Sequence, residues 1–277
     1  MDTYLTATAL LDRLADLPPQ SWIATDADGT LWAADVAELA WDTLMRERGM
    51  RPAAGPPLAK LVEDAGEDSR GDPHEDGARV YDMFMEGKVG DGPILRAMAL
   101  CFSGYTQQEA TAFAARVARE EVAPRVYEST RPLLRGLLER GHRLLVVSGS
   151  PTFVVEGAVA MLDLPAPVPV FGVTLAREEG RLAPRLIPPI TWNAGKVEAI
   201  QPTLGDAPLA VAFGDSDGDR QLLEHTVALR VLVHPRPALL RLAHADPQGP
   251  WATLAPQRTE GGDLVVPPTG DLVMGED

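Results

Sequence analysis

Lysine is scarce in this chain. Of 25 basic residues only Lys60, Lys88 and Lys196 are lysines, and the rest are arginines. Each retained lysine therefore marks a place where a compact point charge is needed, a role arginine does not fill. Positive charge is short overall: the formal net charge is −15. That excludes nucleic acid, whose phosphates select basic faces, and an anionic membrane surface as partners. Cysteine is nearly absent, with Cys101 alone, so no intramolecular disulfide forms and a reducing, cytoplasmic setting is expected. No apolar run reaches the ~20 residues that span a bilayer. The first residues, Met-Asp-Thr-Tyr, show no basic stretch followed by an apolar core, so no signal peptide is expected.

What is present is a globular composition, 45% hydrophobic over 277 residues, enough for one large domain or two smaller ones. Residues 3–17 carry Leu10, Leu11, Leu14 and Leu17 on one helical side before Pro18-Pro19 ends the pattern. Residues 22–26 read as a buried strand. From 35 to about 124 the periodicity is helical, as in Val36, Leu39, Ala40, Thr43 and Leu44. Thr106-Gln107-Gln108-Glu109 reads as a capping box. After 124 helices and strands alternate, with a hairpin expected at Glu179-Gly180. The predicted class is α/β, a Rossmann-like parallel sheet interrupted by an all-helical cap. The expected divisions are core over 1–33, cap over 34–124, core again over 125–245 and a tail over 246–277. The Pro-, Gly- and acid-rich tail is expected to wrap the surface or stay partly disordered.

Four polar clusters fall at the C-terminal ends of predicted strands, the edge where open parallel sheets bind ligands. They are Asp26/Asp28 in Thr25-Asp26-Ala27-Asp28-Gly29-Thr30, then Ser148-Gly149-Ser150, then Asn193-Ala194-Gly195-Lys196, and last Gly214-Asp215-Ser216-Asp217-Gly218-Asp219. Carboxylates at the end of a buried strand are costly without a compensating cation or hydrogen bonds. Together the clusters offer a nucleophile, a second carboxylate, a hydroxyl with flanking amides, a cation and a carboxylate loop suited to Mg²⁺. Phosphoryl transfer needs that set, because its catalysis is mostly positioning and charge neutralisation.

In this order the motifs resemble those of the haloacid dehalogenase superfamily. The helical segment between the first two, and Ser148-Gly149-Ser150-Pro151 with Glu156 beyond it, are similar to its phosphoserine phosphatase-like branch. The resemblance implies a Mg²⁺-dependent phosphomonoester hydrolase acting on a small phosphorylated metabolite through an aspartyl phosphate. It implies Asp26 as nucleophile and Asp28 as general acid and base. Asp26, the Asp28 carbonyl and Asp215 would hold the metal. Ser148 and the Gly149 amide would hold a phosphate oxygen, Lys196 would bridge Asp26 and phosphate, and Asp219 would orient Lys196 or a metal-bound water. Thr30 belongs to the first motif and would support it from behind. Three positions depart from that branch: Gly218 replaces an Asn, Ser150 a second Gly, and Asp35, nine residues after Asp26, a Glu that meets the substrate amine.

Blander readings stand beside these. Ser148 can cap the following helix as well as serve as a ligand, Asn193 reads as an N-cap rather than a ligand, and Asp35 is at least as good an N-cap as a substrate contact. Asp217 reads as a turn former, Glu38 as part of a solvated face, and Trp32 and Trp41 as packing. Neither acidic loop has the Gly and Glu spacing of an EF-hand, and the five histidines show no metal spacing. A phosphotransferase or phosphomutase, and a non-catalytic phosphate-binding regulator, remain alternatives.

Overall fold

The computed structural model describes residues 4–265. Its strands are β1 (Tyr4–Leu5), β2 (Trp22–Thr25), β3 (Arg143–Pro151), β4 (Val170–Glu178), β5 (Arg181–Ile187), β6 (Leu209–Gly214), β7 (Leu229–Leu232), β8 (Trp251–Leu254), β9 (Gln257–Arg258) and β10 (Leu264–Val265). The α-helices are α1 (Ala7–Arg13), α2 (Val36–Glu47), α3 (Gly55–Asp64), α4 (Pro73–Met85), α5 (Asp91–Leu100), α6 (Gln107–Val117), α7 (Thr130–Glu139), α8 (Thr152–Ala160), α9 (Ala194–Leu204), α10 (Arg220–Glu224) and α11 (Pro237–Ala245). Among them no helix is long and apolar enough to cross a membrane.

Eight strands form one sheet in the order β1-β8-β7-β6-β2-β3-β4-β5. Every neighbouring pair is parallel except β4 and β5. The central strands are apolar on both faces, as parallel strands covered by helices must be. Alternation along them sorts the two layers. Ile23, Val146, Phe213 and Val231 join one apolar cluster. Ala24, Leu145, Ala212 and Leu232 join another, which α9, α10 and α11 cover with Ile200, Leu204, Leu222, Leu223 and Leu239. The β4–β5 hairpin turns at Glu179 and Gly180, both at positive φ (50° and 76°), as a tight hairpin requires.

Between β2 and β3 the chain is helical. The Asp35 side chain caps α2 by accepting from the Ala37 and Glu38 amides. The Thr106–Glu109 capping box opens α6. Phe102, just past α5, makes edge-to-face contacts with Phe113 of α6 and Phe153 of α8. The apolar interior of this helical segment is therefore continuous with that of the sheet. Helix α5 also lies against β3, β4 and β5, which brings the segment over the sheet's C-terminal edge.

Two expectations need correction. The first helix does not begin at residue 3: Thr6 caps it from Ala9, and Tyr4–Leu5 instead pair with β8. The supposed tail begins as core. Trp251–Leu254 are all buried and stand between β1 and β7. Four residues within a Pro- and Gly-rich stretch carry too little local signal, and their partners lie far away in sequence. The rest of the described tail forms a two-stranded hairpin, β9–β10. Residues 266–277 of the expected tail lie outside the described residues.

Candidate active site

Strand β2 lies between β3 and β6, where the chain's strand order reverses, so a crevice opens at their C-terminal ends. Register fixes what meets there: Thr25 pairs with Val146 on one side and Phe213 on the other. One step further on, Asp26 donates its amide to the Phe213 carbonyl at 3.0 Å, so its side chain emerges beside the loop that follows β6. Gly29 allows this closeness. Its φ is +77°, and a Cβ there would stand 2.5 Å from an Asp215 carboxylate oxygen. Any other residue in the Asp-Gly-Thr turn would push the two acidic loops apart.

Asp26, Asp215 and Asp219 each offer a carboxylate oxygen, all within 4.8 Å of one another. Lys196, in the first turn of α9, reaches Asp26 and Asp219 at 2.6 Å each, with its side chain only 3% exposed. The second Asp26 oxygen accepts from the Thr30 hydroxyl at 3.0 Å. The second Asp219 oxygen accepts from the amides of Asp215 and Ser216. Asp219 thus folds the loop and fixes the lysine together. Burial works against the Lys196 charge, but Asp219 and Asp26 outweigh it and raise its pKa. Burial, then the Asp219 charge, pushes Asp26 up to about 7 against the pull of Lys196. Burial, then the charges of Asp219 and Asp26, hold Asp215 well above the carboxylate range. The two directions agree once the charges are counted. Three carboxylates share one buried ammonium, with Arg236 3.4 Å from Asp215 at the rim, so the cluster stays net negative: the lysine keeps its charge while Asp26 and Asp215 resist ionising.

Asp28 points to the other side of Asp26. One of its oxygens accepts from the Trp32 indole N–H (2.8 Å) and the Val36 amide (2.9 Å). The other accepts from the hydroxyls of Ser148 (3.0 Å) and Ser150 (2.7 Å). Burial, then the charge of Asp35, pushes Asp28 up to about 6 despite these donors. Asp35 keeps an exposed edge, yet the protein around it desolvates its carboxyl and raises it to about 6 as well.

A cavity of about 210 Å³ opens over this floor. That is smaller than the ~300–1,000 Å³ typical of drug-sized ligands. Asp26, Asp28, Lys196, Asp215 and Ser216 form its base, Gly149, Ser150 and Trp192 one wall, and Arg236 an edge. The opposite wall comes from the helical segment: Asp35 and Glu38 at the start of α2, Phe84 of α4, and Asp91, Ile94, Leu95 and Met98 of α5.

The structure brings Asp26, Thr30, Lys196, Asp215 and Asp219 into one contact network, with Asp28, Gly149 and Asp35 around the same cavity. Ser148 is different: it is fully enclosed, spends its hydroxyl on Asp28 and takes no part in the cavity lining. Asn193 occupies the cap position of α9 at φ 50° but makes no side-chain cap. Glu38, expected on a solvated face, lines the cavity. Trp192 and Arg236 also line the cavity without carrying a motif of their own, though Trp192 sits beside one and Arg236 follows a strand at the same edge. Gly218 has a local reason: a Cβ there would meet the Trp192 ring at 2.3 Å. Trp192 therefore fills the space a larger residue would need. Arg51 pairs with Glu109 and Arg79 with Glu67, so neither reaches the cavity.

A parallel sheet that gathers three buried carboxylates and one buried ammonium at its C-terminal edge has the layout of an α/β enzyme centre. The chain belongs to the haloacid dehalogenase-like hydrolases, whose family model matches residues 23–224, well over half its length. Similar solved structures include a protein of unknown function from Bordetella pertussis Tohama I, at 19% identity and TM-score 0.64, covering 86% of this chain and 99% of that one. A functionally unknown protein from Anaerococcus prevotii DSM 20548 matches at 15% identity and TM-score 0.65, covering 96% of each chain. A probable phosphoserine phosphatase from Vibrio cholerae matches at 17% identity and TM-score 0.52, covering 96% of this chain and 71% of that one. At these identities the likeness is one of fold. No curated protein matches the sequence.

Proposed function

We propose that this hydrolase is a Mg²⁺-dependent phosphomonoesterase acting on a small soluble phosphate ester in the cytoplasm. The observation that carries the reading is the Asp26 carboxylate, held between Lys196 and Thr30 inside an acid triangle that keeps an excess of negative charge beside Lys196 and Arg236. A divalent cation balances that excess, and hard oxygen donors are what Mg²⁺ selects. Asp26, the Asp28 carbonyl and Asp215 would hold it. When bound, it supplies Lewis-acid neutralisation of the phosphate charge.

The remaining work falls to the chain's own groups. Asp26 attacks phosphorus, forming an aspartyl phosphate, and Lys196 neutralises charge on nucleophile and phosphoryl oxygens. Asp28 gives a proton to the leaving oxygen and then takes one from the attacking water. A carboxyl raised to about 6 carries protons near neutral pH. The Gly149 amide would meet a phosphate oxygen, while Ser148 and Ser150 act from behind by donating to Asp28. Residues 34–124 act as a cap whose α2, α4 and α5 close the site and restrict it to small esters.

Release of inorganic phosphate from a panel of small esters tests the reading. Turnover that requires Mg²⁺, stops with chelator and falls by at least about a thousandfold in Asp26→Asn is expected. A folded protein that binds Mg²⁺ and phosphate but hydrolyses no ester contradicts it.

A further inference from the structure

Asp26, Asp215 and Asp219 crowd three acids into one corner, beside the buried Lys196 and the more exposed Arg236. Like charges so close push apart the two segments that carry them, the turn after β2 and the loop after β6. Lys196 ties Asp26 to Asp219 from the front, but among the described residues it makes no ion pair with Asp215. The nucleophile turn nonetheless lies so near Asp215 that a Cβ on Gly29 would stand 2.5 Å from its carboxylate. A restraint from behind has to hold that approach.

Tyr127 stands there, only 2% exposed. Its hydroxyl donates to the Gly29 carbonyl at 3.3 Å. Its ring stacks on His234, with centroids 4.7 Å apart and 26° between the planes. His234 lies in the segment after β7 that supports the acidic loop: the Val233 amide donates to the Gly214 carbonyl at 3.0 Å, and the Arg236 amide to the Asp215 carbonyl at 2.7 Å. His234 is itself an anomaly. It is 5% exposed, neither ring nitrogen has a hydrogen-bond partner among the described residues, and its φ is 43°. A buried unpartnered polar group and a left-handed backbone at a non-glycine residue each cost stability. Burial pushes the imidazole down to about 4, so it brings no charge to the acids. What it supplies is a flat surface for Tyr127. The backbone of Tyr127 is fixed in turn. Its amide donates to the Leu31 carbonyl at 3.1 Å, Trp32 bridges Val126, and Tyr127 bridges Thr259, both antiparallel. The Glu260 amide donates to the Val126 carbonyl and the Gly261 amide to that of Pro124. The end of the chain thus adds a third strand to the two segments that enter and leave the helical region, with Tyr127 on the middle one.

Resting on the Mg²⁺-dependent phosphatase reading above, we propose that Tyr127 is a positioning residue of this hydrolase, acting through Gly29 and His234 to hold the Asp26 turn and the Asp215 loop at the separation a divalent cation requires. It touches neither substrate nor reacting atoms. It holds the acids together against their own repulsion, so less of the cation's binding energy goes into drawing the two segments close. Loosening this rear clamp raises the Mg²⁺ requirement and leaves the cavity for the ester as it was.

Three variants of the full chain test the clamp. Tyr127→Phe removes the hydroxyl and keeps the stack, Tyr127→Leu removes both, and His234→Asn removes the ring while keeping a residue type that tolerates positive φ. Mg²⁺ binding is measured by calorimetry well below each denaturation midpoint, and phosphate release is titrated with Mg²⁺. Loss of the hydroxyl should weaken Mg²⁺ binding by about three- to tenfold, and Tyr127→Leu and His234→Asn should weaken it at least as much. Phosphate release should need correspondingly more Mg²⁺, with KM for the ester at saturating Mg²⁺ within about twofold of wild type. A lowered midpoint with unchanged Mg²⁺ affinity would mark an ordinary core tyrosine and overturn the proposal, as would a change confined to KM for the ester. Weakened Mg²⁺ binding in the variants of a protein that releases no phosphate removes the phosphatase reading and leaves the clamp standing. A wild-type chain that binds no Mg²⁺ removes both.

Discussion

The base of the cavity and its cap-side wall are both acidic, yet they are built on different principles. In the base the acids are tied to fixed partners within the chain, although negative charge stays in excess. Lys196 joins Asp26 to Asp219, Thr30 holds the other Asp26 oxygen, and loop amides fill Asp219. On the wall, Asp35, Glu38 and Asp91 line the cavity without an ion pair among the described residues, and only the more distant Arg236 draws on Glu38. A preorganised base lowers the cost of charge reorganisation during reaction, whereas acids left open on a wall are answered only by something that arrives. Chemistry therefore resides in the sheet edge, and selectivity in the helices above it.

The sharpest way to break this contrast is to remove the lysine. Lys196→Met leaves Asp26 and Asp219 buried without their shared cation. Removing one partner of a buried pair costs about 3–5 kcal/mol, so a marked fall in the denaturation midpoint is expected, together with loss of Mg²⁺-dependent turnover. An unchanged midpoint means the base is not the paired network described. Next comes Asp219→Asn, which keeps the amide contacts in part but withdraws a charge from Lys196. A smaller loss of stability than Lys196→Met, measured in the same denaturant series, is expected, with a reduced kcat.

Acid should weaken the base's hold on a divalent cation. Asp26 is pushed up to about 7, so below that pH the metal-free site holds a proton that must leave on binding. Apparent Mg²⁺ affinity, followed by calorimetry, should be highest above pH 7 and fall as pH is lowered, by about tenfold per unit for each proton displaced from Asp26 and Asp215. The sign is fixed: a raised folded pKa favours the protonated, metal-free form at low pH. A flat profile from pH 5 to 8 would show that Asp26 stays ionised without metal.

The smallest expected change is at Ser150. Its hydroxyl lowers the Asp28 pKa, so Ser150→Ala should move the Asp28-dependent limb of the kcat/KM profile to higher pH. Ser148 continues to hold the same oxygen, so the move stays under about one unit. A shift to lower pH would assign that limb to another group.

Much of the sheet edge was legible because each motif is short, local and attached to a strand with strong apolar character. Asp26, Lys196, Asp215 and Asp219 follow or precede such elements, and Gly29 and Gly195 announce close approach. The Thr106–Glu109 box and the Glu179-Gly180 turn were legible for the same reason, since their chemistry is complete within four residues. The wall was harder. Glu38 looks like any exposed helical acid until α5 is placed opposite it, and that placement depends on apolar packing across the whole helical segment. Trp192 and Gly218 carry meaning only as a pair, because one fills the space the other vacates. Strands β1 and β8 escaped because parallel pairing between residues 4–5 and 253–254 leaves no local trace.

The most direct test of the account is to look for phosphate on Asp26. The protein is mixed with a turned-over ester and Mg²⁺, quenched in acid within the first turnover, and mapped by peptide mass spectrometry. The account predicts one phosphoryl group on the peptide containing Asp26, absent without Mg²⁺ and absent in Asp26→Asn. Rapid hydrolysis with no such adduct, and undiminished turnover in Asp26→Asn, would contradict it.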